Sequence, residues 1–186
     1  MSMNKDLLTN FNTLTVTRLG HVSRWNIVNT SRQQSVAEHS AIVALLAMRL
    51  CEKLKLGTDI KRQCSEYALV HDMPEALTGD IPSPTKDEID GLDELEHDLI
   101  GDGSGYTTRP IVMSIVSVCD LMEAYLFLAE NGVGVHARTV ADELRGHLLG
   151  LCARREANIP TLQATVQDMI YRETGEVQQV GDKYES

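Results

Sequence analysis

Apolar side chains recur along this chain at three- and four-residue spacings, and no alternating run marks a half-buried strand, so the pattern predicts an all-α protein. Residues 4–19 carry Leu7, Phe11, Leu14 and Val16 at helical intervals, weakened by threonines. The polar stretch that follows holds Arg24-Trp25-Asn26-Ile27-Val28 and reads as a loop with an apolar anchor, in which Trp25 and Ile27 either pack a corner of the core or face a ligand. Ser35-Val36-Ala37-Glu38 has the form of a capping box: the serine oxygen accepts from the Glu38 amide while the Glu38 carboxylate reaches back to the Ser35 amide. A helix therefore starts here and runs to about residue 54 through Ile42, Leu45, Leu46, Met48 and Leu50, with His39 in its first turns.

Thr58-Asp59 supplies a cap and an acid for the next helix, over residues 60–71. Pro74 has no amide to donate, so the chain turns there, and a short helix resuming at Pro74 brings Glu75 to the same side as Asp72. Residues 78–86, with two prolines, predict an ordered loop. Residues 87–100 are compatible with a helix, and the glycines of 101–108 predict a loop. The longest apolar helix is expected over residues 110–130, with amphipathic helices following over 137–157 and 160–172 and a polar tail from 174.

Length and charge narrow the classes. A chain of 186 residues fits a single domain over 1–186. A formal net charge of −10, from 17 basic and 27 acidic residues, argues against a general nucleic-acid or anionic-membrane surface, so any polyanion must be small and held locally. The four cysteines, Cys51, Cys64, Cys119 and Cys152, form no C-x-x-C pair and read as reduced core residues of a cytoplasmic protein. The start of the chain lacks the apolar stretch of a signal peptide, and no apolar run is expected to reach the ~20 residues that span a bilayer.

Chemistry enters where apolar runs are interrupted. Tyr67-Ala68-Leu69-Val70 leads straight into His71-Asp72, where unpaired charge is costly and a divalent cation compensates it directly. Taken alone, the pair also reads as a helix end whose His caps carbonyls and whose Asp is solvated. Asp120, between Cys119 and Leu121 in the most apolar helix, raises the same demand for a partner. With His39 the set offers two nitrogen and two oxygen donors from separate helices, leaving positions on a six-coordinate ion for water and substrate.

Arg24-Trp25, Ser35-Val36-Ala37-Glu38-His39-Ser40, His71-Asp72, Glu75, Thr78-Gly79-Asp80-Ile81-Pro82, Lys86 and Asp120 follow one another in an order that resembles the HD-domain metal-dependent phosphohydrolases. The similar branch contains bacterial 5'-deoxynucleotidases acting on deoxynucleoside monophosphates and phage triphosphohydrolases acting on dATP. The resemblance implies a compact helical bundle with the metal between helices. It also implies a divalent cation (Co, Zn, Mn or Mg) on His39, His71, Asp72 and Asp120, and Glu75 as the acid/base residue. Arg24 and Lys86 are expected on phosphate, Asp80 near the sugar, and Trp25 with Ile27 around the base. It favours dATP as substrate, with a 5'-deoxynucleotidase as the alternative, and a homo-oligomer (dimer or hexamer). A metal-free helical binding module is the reading outside enzymes.

Overall fold

The computed structural model describes residues 13–86, 88–92, 95 and 109–171. The expectations for residues 1–12, for 101–108, for the tail and for most of 87–100 lie outside them. Among the described residues the regular structure is helical: α1 (Thr13–Thr17, continued by a 3-10 turn over Arg18–Gly20), α2 (Val36–Lys53), α3 (Thr58–Val70), α4 (Glu75–Thr78), α5 (Ser83–Lys86), α6 (Pro110–Asn131), α7 (Gly134–Arg155) and α8 (Leu162–Tyr171). The all-α reading holds. Residues 83–86, expected as loop, form the single turn of α5, where Thr85 and Lys86 close backbone bonds onto Pro82.

Helix α6 packs against α2, α3 and α7, and its apolar circumference explains why. Val112, Ile115, Val116, Val118, Cys119, Met122, Phe127 and Leu128 are all buried, so the helix is enclosed on most sides. Contrary to the sequence expectation, α6 is long and apolar enough to cross a membrane by length and composition alone, but 67% of its most apolar window is buried inside the protein. Its hydropathy is that of a core helix.

Helix α2 lies across α3 and α6 with its small residues inward. Ser40, Ala44 and Ala47 are buried, whereas Ile42, Leu45 and Met48, expected on the core side, face outward, Leu45 at 60% exposure. The period was right and the face was right in part: Leu50 is fully buried and Leu46 packs against the core, but Val43, Ala44 and Ala47 fill the inner face where Ile42, Leu45 and Met48 do not. In α1 the buried positions are Thr15 and the following Leu19, while Leu14 and Val16 are exposed. The four cysteines are free and buried, each on a different helix of the core.

Both helix caps depart from the sequence reading. Ser35 Oγ accepts from the Glu38 amide at 3.1 Å, but the Glu38 carboxylate pairs with Arg32 at 2.7 Å, so only half of the capping box forms. The N-cap of α3 is Gly57, not Thr58, while Asp59 stands in the first turn as expected and pairs with Arg62, Gln63 and Arg109.

The loop between α1 and α2 is tied at several points by backbone hydrogen bonds. Arg24 N donates to Gln34 O and Val36 N to Val22 O, while Ser31 N donates to Asn131 O and Val133 N to Asn29 O. The last two bonds fasten the loop to the C-terminal end of α6. Gly132 lies between them, where a Cβ would come 2.5 Å from Leu128 O, so only glycine fits.

Candidate metal centre

Two helix ends and one helix middle converge on the site. His39 lies one turn into α2 and is fully buried, His71 is the C-cap of α3, Asp72 follows it, and Asp120 projects from the middle of α6. Donor atoms of His39, His71 and Asp72 all lie within 4.8 Å of one another. His39 Nε2 is 3.0 Å from Asp120 Oδ1 and 3.5 Å from Asp72 Oδ2, and His71 Nε2 is 3.3 Å from Asp72 Oδ1. Asp120 finds in His39 the partner that its apolar helix demanded, and its side chain is 38% exposed.

Each imidazole is held through its other nitrogen. His71 Nδ1 lies 2.7 Å from the Ala68 carbonyl, a pure acceptor, so Nδ1 carries the proton and Nε2 presents a lone pair. His39 Nδ1 lies 2.5 Å from Glu123 Oε2, with the same consequence. Both Nε2 atoms are buried without a hydrogen-bond partner. Two ring nitrogens without hydrogen-bond partners beside two carboxylates fit a divalent cation of the Zn, Co or Mn kind.

The electrostatics agree with a site built to receive positive charge. Burial lowers the His39 pKa, but Asp120 and Glu123 overcome it and raise the group to about 9. Burial raises Asp120, yet its contact with His39 and the charges of His39, His71 and Arg24 prevail and hold it down to about 2. In the metal-free protein a proton on His39 thus stands where the cation would be.

Glu75, at the start of α4, is buried, and Lys86 Nζ lies 3.4 Å from its Oε1. Burial and the charge of Asp72 push its pKa up to about 8, with Lys86 opposing. Its Oε2 has no hydrogen-bond partner, and neither does Arg24 Nη1, also buried. Asp80 is raised by burial and feels Arg24, Asp72, Lys86 and His39, which places it on the same electrostatic map. Trp25 stacks on Phe127 with ring centroids 5.7 Å apart and planes 2° from parallel, and its backbone sits at φ 65°, a left-handed conformation that a bulky residue adopts at a cost. Of the two sequence alternatives, core packing describes part of Trp25 but not Ile27, which is 60% exposed.

Sequence reasoning missed Glu123 and Gln34. Glu123 accepts from Gln34 Nε2 at 2.5 Å as well as contacting His39, and both residues are buried. The signal was present: Glu123 lies between Met122 and Ala124 in the same apolar helix, one turn beyond Asp120, where an acid raises the same demand for a partner.

A helical bundle that brings paired His and Asp donors together between helices defines a metallohydrolase type of site. Residues 16–99 match the HD domain family. A dATP triphosphohydrolase of Cyanophage S-2L is 36% identical over 155 residues, 81% of this chain and 86% of that protein. Another dATP triphosphohydrolase, of Salmonella phage PMBT28, is 41% identical over 134 residues, 64% of this chain and 67% of the relative. The solved structure of the Cyanophage S-2L HD phosphohydrolase DatZ, bound to dA and one catalytic Zn2+ ion, superposes with a TM-score of 0.72 at 30% identity, covering 90% of this chain and 97% of that one. The chain belongs to the HD-domain phosphohydrolases, the family to which its ordered motifs pointed.

Proposed function

We propose that this chain is a divalent-metal-dependent dATP triphosphohydrolase, which cleaves dATP to deoxyadenosine and triphosphate. The observation that carries the proposal is the pair of orphaned Nε2 atoms of His39 and His71 facing Asp72 and Asp120. Relatives named for this activity, similar over most of their length, supply the substrate.

His39, His71, Asp72 and Asp120 would hold the cation. A divalent ion supplies Lewis acidity that polarises a phosphoryl oxygen and makes water nucleophilic at neutral pH. Around it, Arg24 offers a planar fork to phosphate oxygens, and Lys86 a point charge beside Glu75. Glu75, with a pKa near 8, can order the attacking water or hand a proton to the departing 5'-oxygen. Asp80 is suited to accept from the 3'-hydroxyl and to crowd a 2'-hydroxyl. Ile27, exposed two residues beyond a fixed indole, would border the base. The outward side chains of Ile42, Leu45 and Met48, three residues apart on one face of α2, support self-association of this chain as a dimer or hexamer.

Product analysis tests the reading. With Zn, Co, Mn or Mg present, dATP should yield deoxyadenosine and triphosphate. Release of phosphate from dAMP with dATP untouched would favour the 5'-deoxynucleotidase alternative. Absence of turnover together with absence of metal uptake would favour a binding module.

A further inference from the structure

Four side chains form one continuous hydrogen-bonded chain through the interior. Trp25 Nε1 donates to Gln34 Oε1 at 2.8 Å, Gln34 Nε2 donates to Glu123 Oε1 at 2.5 Å, and Glu123 Oε2 meets His39 Nδ1 at 2.5 Å. The three inner members are almost wholly buried, with Gln34 at 1%, His39 at 0% and Glu123 at 4% exposure. Water is therefore not available to replace a lost partner, and each group depends on the next.

The chemistry of the two fixed members permits only one direction of donation. An indole N–H can only donate, and a carboxylate can only accept. Gln34 must turn its oxygen to Trp25 and its amide nitrogen to Glu123, since the flipped amide would set donor against donor at one end and acceptor against acceptor at the other. Glu123 then turns Oε2 to His39, which must present Nδ1–H, with Arg24 Nη1 at the longer distance of 3.9 Å from the same oxygen. The lone pair of His39 is thereby confined to Nε2, the atom that faces Asp72 and Asp120. Glu123 reaches this place because it lies one turn after Asp120 on α6, so the same helical face carries the carboxylate in front of the imidazole and the one behind it.

We propose that Glu123 is a positioning residue: by accepting from Gln34 and His39 at once, it fixes the tautomer of a metal-binding imidazole and couples that imidazole to the indole of Trp25. The inference rests on the reading of His39 as a metal ligand. It goes further in assigning metal affinity and the orientation of the ring beside the base to one buried carboxylate that touches neither substrate nor metal. Carboxylate partners behind metal-bound histidines govern affinity in this way, typically by 10–100-fold.

Glu123→Gln tests it with little change of shape. The new amide cannot accept at both ends: either it donates to His39 Nδ1 and forces the proton onto Nε2, or it meets Gln34 donor to donor. Zinc binding by chelator competition should weaken roughly 10–100-fold. Long-range 15N–1H NMR of the histidine rings should show wild-type His39 protonated at Nδ1 in the zinc-loaded protein, and this signature should be lost in the variant. Trp25 is the sole tryptophan, so one indole N–H resonance reports the far end of the chain. Zinc should shift that resonance in the wild type and leave it unmoved in Gln34→Leu; this measurement on the wild type stands even if the Glu123 variant does not fold. A wild-type protein that binds zinc with no indole shift, or a Glu123→Gln protein that keeps wild-type zinc affinity and the same His39 tautomer, overturns the inference alone. A wild-type protein that takes up no zinc overturns the metal reading and this inference with it.

Discussion

The two imidazoles of the site are prepared in opposite ways. His71 is held by its own helix, through the carbonyl of Ala68 three residues earlier, and is only partly buried. His39 is fully buried and is held by Glu123, a residue 84 positions away on another helix. One half of the site is thus organised by local sequence and the other by the completed bundle. The lesson is that two imidazoles meeting at one site need not be equivalent structural elements, and several measurements can break or sharpen the contrast.

The largest difference should appear in the metal-free protein. His39→Ala leaves the Glu123 carboxylate buried without its imidazole, and loss of such a partner costs about 3–5 kcal/mol. His71→Ala leaves one helix-end carbonyl unpaired, at about 1 kcal/mol. Urea unfolding of the two variants without metal measures both. Equal losses would dissolve the distinction, even though both variants should fail to retain zinc.

On the His71 side, Glu75→Ala should keep the metal and lose turnover by a factor on the order of 10² or more, as expected for an acid/base group. Steady-state rates paired with metal content check this, and full activity would remove Glu75 from the mechanism.

The pH dependence of the metal-free protein should be a smaller effect. His39 is raised from 6.5 to about 9, and Glu75 from 4.5 to about 8. Both groups bind more protons folded than unfolded, so stability declines as pH rises. The His39 contribution is fully present below pH 6.5 and lost as pH climbs through 9; Glu75 erodes stability between 4.5 and 8. A fall of a few kcal/mol between pH 6 and 9 is expected in denaturant titrations. Zinc, by replacing the proton on His39, should flatten the curve. A metal-free protein equally stable at both ends would show that these groups are not held as described.

The smallest effect belongs to the loop. Ile27→Ala should change the ratio of kcat/KM for dATP over the other deoxynucleotides by roughly tenfold, the scale of a few methylene contacts, with little loss of kcat on dATP. Unchanged selectivity would detach Ile27 from the base.

Much of the fold could be read because apolar spacing registers helix length directly. The boundaries of α2 and α6 stand within a residue of expectation. What the spacing does not register is which of two faces turns inward when both are apolar. In α2 the core took Ala44 and Ala47 and left Leu45 outside, because the distance to α3 and α6 decides, and that distance is tertiary information. The same holds for the site. His71-Asp72 announced itself by ending an apolar run. Gln34, in contrast, looked like one polar residue among several in a loop, and only the folded chain shows that it is buried between an indole and a carboxylate. The half-formed capping box has a similar cause: Arg32, three residues before Ser35, offers Glu38 a charged partner that the motif alone does not weigh.

The fastening of the 22–35 loop has a consequence for how this protein can change. Its ties to Val22, Gln34, Asn131 and Val133 are main-chain bonds, indifferent to which side chains the tip displays. Ile27, whose side chain is exposed, can therefore be exchanged without rethreading the loop, whereas the Asn26 amide donates to Ser23 O and reaches Asp80 O. Under the proposed function base preference has a short mutational path here, whereas His39, buried against Glu123, is almost closed to change.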